Sequence, residues 1–82
     1  MIKVLFFGQL KEQLGVDGTE VSIVNKVTVL QLLEVIVKTH PSWAFELNNE
    51  SLLVAVDQVM AKSHTLVSEA SEVAFFPPVT GG

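Results

Sequence analysis

The sequence predicts an α+β domain in which a mixed sheet of about five short strands is crossed on one face by a single main helix. Three observations carry that expectation. Short apolar, β-branched runs recur along the chain; one segment alone has sustained helical periodicity; and glycine, proline, asparagine or aspartate interrupts the chain between them. With 82 residues, 49% of them hydrophobic and 17% charged, the chain has room for one domain and enough apolar mass for a core. A domain this small buries only about 60 to 65% of its unfolded surface, and there is no cysteine to staple it. Its stability has to come from packing.

Ile2 to Phe7 is apolar except for Lys3 and is stopped by Gly8, which reads as a buried first strand. Leu10 and Leu14 stand four apart with Gly15 behind them, the pattern of a short helix over Gln9 to Leu14 closed by a glycine cap. Asp17-Gly18 reads as a turn. Val21 and Ile23 then alternate with Glu20 and Ser22 as a half-exposed second strand. Thr28, with Gln31 three residues on, forms a capping box at the start of the main helix. Val29, Leu32, Leu33, Ile36 and Val37 fall on one continuous apolar face. Glu34 and Lys38 are spaced for a favourable pair on another side. Pro41 disfavours helical geometry at His40 and ends the helix there.

Ser42 to Leu47, with Trp43, Phe45 and Leu47, fits either a short helix or an irregular apolar patch. Asn48-Asn49 turns the chain. Leu52 to Val56 is a third strand, Asp57-Gln58 a hairpin turn and Val59 to Ala61 a fourth strand. A polar stretch anchored by Leu66-Val67 leads to the last strand, Glu72 to Phe76, which Pro77 and Pro78 terminate because neither can donate to a ladder. Residues 1–76 therefore read as the folded domain and 77–82 as an extended tail ending in Gly-Gly. Strand, short connection, strand, capped helix and three more strands is the order of a ubiquitin-like β-grasp.

Composition excludes several functions. Five lysines and no arginine against nine carboxylates give a net charge of −4, and the lysines are dispersed, so no basic face exists for nucleic acid. No apolar run approaches the roughly 20 residues of a membrane span. The opening residues lack a cleavage-like site for a signal peptide. A cytoplasmic protein is expected. His40 and His64 are too far apart in the sequence for a shared helix-face metal site and read as loop or helix-end residues. No serine lies in a nucleophile elbow, no glycine-rich phosphate cradle is present, and no spacing obliges two carboxylates to share a cleft. Neither a metal nor a bound cofactor is expected.

The informative segment is Phe75-Phe76-Pro77-Pro78-Val79-Thr80-Gly81-Gly82. The prolines force the chain off the sheet and hold its exit stiff. The four residues from Val79 reach at most about 13 to 14 Å. Gly81 and Gly82 lack Cβ atoms and can thread a channel that other residues would block. The terminal carboxylate, ionised at neutral pH, is the only group of the tail that can be made electrophilic.

With these residues in view, the chain resembles the small sulfur-carrier subunit of molybdopterin synthase, the MoaD type. The resemblance runs over nearly the whole length and is carried by MIKVLFFGQLKEQLG, LLVAVDQ and EVAFFPPVTGG. It implies that an ATP-dependent activating enzyme, similar to the ubiquitin-activating type, joins the Gly82 carboxylate to AMP. A sulfur donor enzyme then displaces AMP to leave a thiocarboxylate. The large synthase subunit receives the tail and supplies the acid-base and pterin-binding groups, and the sulfur attacks a cyclic pterin phosphate precursor. Two sulfurs make one dithiolene. Gly82 would carry the reacting atom, Gly81 would give clearance, and a heterotetramer of two carriers and two large subunits is implied.

Strand parity proposes the docking face. If the helix covers Val4, Phe6, Val73 and Phe75, then Phe7 and Phe76 lie on the open face with Met60, beside the exit of Pro77, Pro78, Val79 and Thr80; the alternative is that all of them are core. Lys11 would be a rim charge. Members of the family often carry arginine where Lys11 stands, and lysine cannot make the bidentate contact. They also often have a glycine-containing acidic turn before the last strand, where this chain has Glu69-Ala70-Ser71-Glu72. Ala70 resists positive φ, so a different turn is expected there. The rival functions are a protein modifier forming isopeptide bonds, a carrier for another pathway such as thiamine synthesis, and a plain interaction module.

Overall fold

The computed structural model describes residues 1–78, and its first strand, β1 (Ile2–Phe6), is an inner strand of the main sheet. Ile2, Val4 and Phe6 are buried while Lys3 is exposed and Leu5 half-buried, so one side faces the core. α1 (Gly8–Leu14) follows, pinned by the buried Leu10. Gly15 caps it in the left-handed region, its amide donating to the Lys11 carbonyl at 2.9 Å.

β2 (Gly18–Val21) pairs antiparallel with β1. It lies earlier than expected and stops before Ile23. The reason is its partner: β1 begins at Ile2, which stands opposite Val21, so nothing remains for Ile23 to pair with. Gly18, expected in a turn, is instead a paired residue opposite Leu5, where an added Cβ would collide with the Val4 carbonyl oxygen. We expect Gly18→Ala to lower stability by about 1–3 kcal/mol, the usual effect of forcing an atom into packed structure, read as a drop in the thermal midpoint. An unchanged midpoint would contradict this register.

β3 (Val27–Thr28) leads into α2 (Val29–Thr39). The capping box is complete: Gln31 N–H donates to Thr28 Oγ1 at 3.1 Å and Thr28 N–H to Gln31 Oε1 at 2.9 Å. The amides of Val29 and Leu30 donate to the carbonyls of Thr65 and Ser63, both at 2.9 Å. Four amides at this end are thereby satisfied, which removes the usual penalty of a helix start. Thr28→Ala should destabilise the domain by about 1 kcal/mol, measurable by denaturant unfolding. Val29, Leu32 and Ile36 are buried and Leu33 and Val37 half-buried, as the periodicity predicts. Glu34 and Lys38 do not form the expected ion pair; an exposed pair gains too little to hold two long side chains in one geometry. The helix ends at Thr39, with His40 as cap before Pro41.

The ambiguous segment is helical, a 3₁₀ turn at Pro41–Trp43 running into α3 (Ala44–Leu47). Trp43 sets its edge against Phe6, ring centres 5.5 Å apart at 83°, and Leu47 is buried one turn on. Phe45 points outward and is exposed.

β4 (Leu53–Val56) and β5 (Val59–Ala61) form the expected hairpin. Asp57 and Gln58 take φ of 50° and 70°, the two positive values a type I′ turn requires. β6 (Leu66–Val67) pairs with β3 in a separate two-stranded sheet, which two-residue strands without any period gave no means to foresee. β7 (Glu72–Phe76) is the central strand, parallel to β1 and antiparallel to β4, in the order β2-β1-β7-β4-β5. In the turn before it, Ser71 N–H donates to the Ser68 carbonyl at 2.9 Å and Ser68 N–H to Ser71 Oγ at 3.0 Å, while Ala70 is not among the residues at positive φ. The side-chain hydroxyl closes the turn without a glycine.

Candidate functional site

Val4, Phe6, Val73 and Phe75 are all buried with α2's Leu32 and Ile36 in one core, so the helix takes the face that parity assigned to it. The other face follows from the register. Lys3 stands opposite both Glu20 and Glu72, giving that face a charged end. Farther along β7, Ala74 lies between Leu5 on one side and Ala55 on the other, and Ala55 opposes Met60. Phe76 is paired with Leu53. Phe7 extends the ladder one step past β1, its amide donating to the Phe75 carbonyl at 3.1 Å, and so comes beside Phe76.

The open face is therefore graded, charged where β7 begins and apolar where it ends. Phe7 is 49% exposed and Met60 59% exposed, with Leu53 at 36% and Phe76 half-buried. Ala74 and Ala55 carry only methyl groups, so the middle of the patch is low between larger neighbours. Phe7 and Phe76 are brought together. Met60 shares their face but sits on the outer strand, three strands from β1 and so roughly 14 Å across the sheet. Lys11 is exposed on α1, one turn beyond Phe7. Leu5 and Leu53 complete the patch. Leu53 could not be assigned from the sequence, because nothing in it says that β4 pairs with β7.

Pro77 is half-buried and Pro78 exposed immediately past the apolar end. Val79, Thr80, Gly81 and Gly82 lie outside the described residues. A groove runs along α2 on the opposite side of the sheet, lined by Leu33, Val37, Leu47 and Leu52. Among the described residues no group of three or more His, Asp or Glu side chains could hold a metal. His40 stacks on Trp43 at 3.9 Å and 13°, and His64 is exposed in the loop before β6.

A mixed five-stranded sheet with β1 and β7 parallel at its centre, crossed by one capped helix, is a ubiquitin-like β-grasp. Solved structures share this fold. SAMP1 from Haloferax volcanii superposes with a TM-score of 0.83 at 24% identity, covering 99% of this chain and 98% of that one. The small archaeal modifier protein 1 from Methanosarcina acetivorans gives 0.74 at 22% identity, covering 99% and 95%. The chain belongs to the ThiS family, whose model matches residues 4–82. Within it, the chain is 44% identical over 82 residues to the molybdopterin synthase sulfur carrier subunit of Escherichia coli K12, and 38% identical over 82 residues to that of Haemophilus influenzae; each match covers 100% of both chains.

Proposed function

We propose that this chain is the sulfur-carrier subunit of a molybdopterin synthase and that its Gly82 carboxyl carbon bears the transferred sulfur. The observation that carries the reading is identity of 44% and 38% over the full length of relatives with that name. The β-grasp body, the apolar end of its open face and the Pro-Pro exit beside it support the same reading.

The chemistry needs an activated carboxyl, because a carboxylate is a poor electrophile until one oxygen becomes part of a leaving group. In the first step the Gly82 carboxylate attacks the α-phosphorus of ATP on an adenylating partner, expelling pyrophosphate and forming an acyl-adenylate. A persulfide-type sulfur donor then attacks the carbonyl carbon and AMP departs. A second thiol of the donor then cleaves the resulting acyl disulfide, leaving the thiocarboxylate on Gly82 and a disulfide on the donor. On the large subunit that sulfur attacks a carbon of the cyclic pterin phosphate and displaces an oxygen substituent there; water then cleaves the thioester so formed, leaving the sulfur on the pterin and a carboxylate on Gly82. Two carriers are consumed per dithiolene, and the heterotetramer offers one carrier at each of two sites. Acid-base groups and pterin contacts belong to the large subunit in this scheme, and ATP to the adenylating partner, so the carrier has no resident cofactor. A cytoplasmic location accords with the use of ATP-dependent partners in this scheme.

Phe7, Phe76, Leu53 and Met60 would form the docking surface for both partners, with Lys11 at the rim, since large apolar groups near the centre of a patch carry most association energy. Pro77 and Pro78 direct the exit, Val79 and Thr80 occupy the entrance to the partner's channel, and Gly81 passes its narrowest point. The mass of the carrier after incubation with adenylating enzyme, ATP and sulfur donor tests the reading. Replacement of one oxygen by sulfur is expected. Adducts with other proteins would favour an isopeptide-forming modifier, and an unchanged mass would leave only an interaction module.

A further inference from the structure

The geometry points to Gly8 as a positioning residue that aims the tail, an inference resting on the sulfur-carrier reading. Gly8 opens α1 with φ of +62°. A Cβ built on it would lie 3.7 Å from both Cδ and Cγ of Pro77. The β1–α1 junction thus lies beside the first tail proline, where an added methyl group would just touch the ring. The neighbouring Phe7 amide holds the Phe75 carbonyl at 3.1 Å, fixing the backbone two residues before that ring. The exit is therefore tied by a hydrogen bond at Phe7 and flanked at position 8 by a site from which an added side chain would reach the Pro77 ring.

Proline fixes its own φ and restricts the residue before it, so the direction imposed at Pro77 is carried into Pro78. A side chain at position 8 that extends from Cβ toward Pro77 would push the ring outward and turn the exit. A shift at Pro77 moves the point from which four residues must span at most about 13 to 14 Å, and misplacement by roughly 1 Å at a reacting centre can slow a reaction about a hundredfold. Gly8 touches neither substrate nor reacting atom; it acts through Pro77.

The discriminating substitution is Gly8→Asn. Asparagine tolerates positive φ better than most residues, so the added bulk acts with little backbone strain. Single-turnover sulfur transfer from thiocarboxylated carrier to pterin precursor would be followed across a range of large-subunit concentrations. At saturation the Gly8→Asn rate should fall about tenfold or more, while the half-saturating concentration changes by less than about threefold. Thr28→Ala, which weakens the fold at the far helix cap, should transfer at the unsubstituted rate. Combining Gly8→Asn with Pro77→Ala removes the ring that the new side chain meets. The double variant should lose less than the product of the two single losses, the mark of groups that act through contact. A Gly8→Asn carrier that transfers at the unsubstituted rate, or losses that simply multiply, would overturn the assignment. Failure of the unsubstituted carrier to transfer at all would instead remove the carrier reading, and this inference with it.

Discussion

Carrier lacking Gly82 is expected to fold and dock normally but to transfer no sulfur. The buried core lies within Ile2 to Phe75, so the thermal midpoint should not move. The apolar patch is also intact, and binding to the large subunit should be reduced only by the contacts of one glycine. Chemistry fails for a reason of length. Removing a residue withdraws the terminal carboxyl by about 3.3 to 3.6 Å, whereas reacting atoms must approach to about 3 to 3.5 Å. In the adenylating site the shortened carboxylate cannot reach the α-phosphorus, and no thiocarboxylate forms. Transfer below about one part in a hundred is the expected outcome on this scale of misplacement. If the truncated carrier still yields dithiolene at a comparable rate, Gly82 does not hold the reacting atom.

Phe7→Asp should separate folding from docking in opposite directions. Phe7 occupies the N-cap of α1 in extended conformation and offers no side-chain cap. Aspartate is among the preferred residues there and contributes about 0.5–2 kcal/mol as a cap. That gain offsets the loss of a ring already half exposed, so the thermal midpoint should hold or rise. The same change puts a carboxylate beside Phe76 in the middle of the apolar end. Association with the large subunit should weaken by about 2 kcal/mol or more, roughly thirtyfold in affinity. Calorimetric titration with large subunit, alongside thermal unfolding, reads both effects. A variant as stable as the parent that binds equally well would remove Phe7 from the docking surface.

Much of this was legible in the chain because local chemistry and tertiary packing agree. The Thr28/Gln31 box and the apolar positions from Val29 to Val37 specify α2, and the structure uses them as written. Alternation in β1 and β7 gave the buried and open faces correctly, which is why Phe7 and Phe76 could be placed on one surface. Local pattern failed where a partner decides. β2 ends at Val21 because β1 starts at Ile2, a fact of pairing rather than of the β2 residues. For Ser42 to Leu47 the sequence left a short helix and an irregular apolar patch open; packing settles on helical turns, with Trp43 and Leu47 inward and Phe45 outward. Leu53 entered the patch through a strand pairing that no periodicity encodes, and the nearness of position 8 to Pro77 joins two ends of the sequence.

The most direct measurement follows labelled sulfur through one turnover, starting from carrier bearing a thiocarboxylate on Gly82 and mixed with large subunit and cyclic pterin precursor. Label should leave the carrier and appear in the pterin, with Gly82 recovered as a carboxylate. Label that stays on the carrier, or a carrier joined through Gly82 to a lysine of its partner, would rule out sulfur transfer from Gly82.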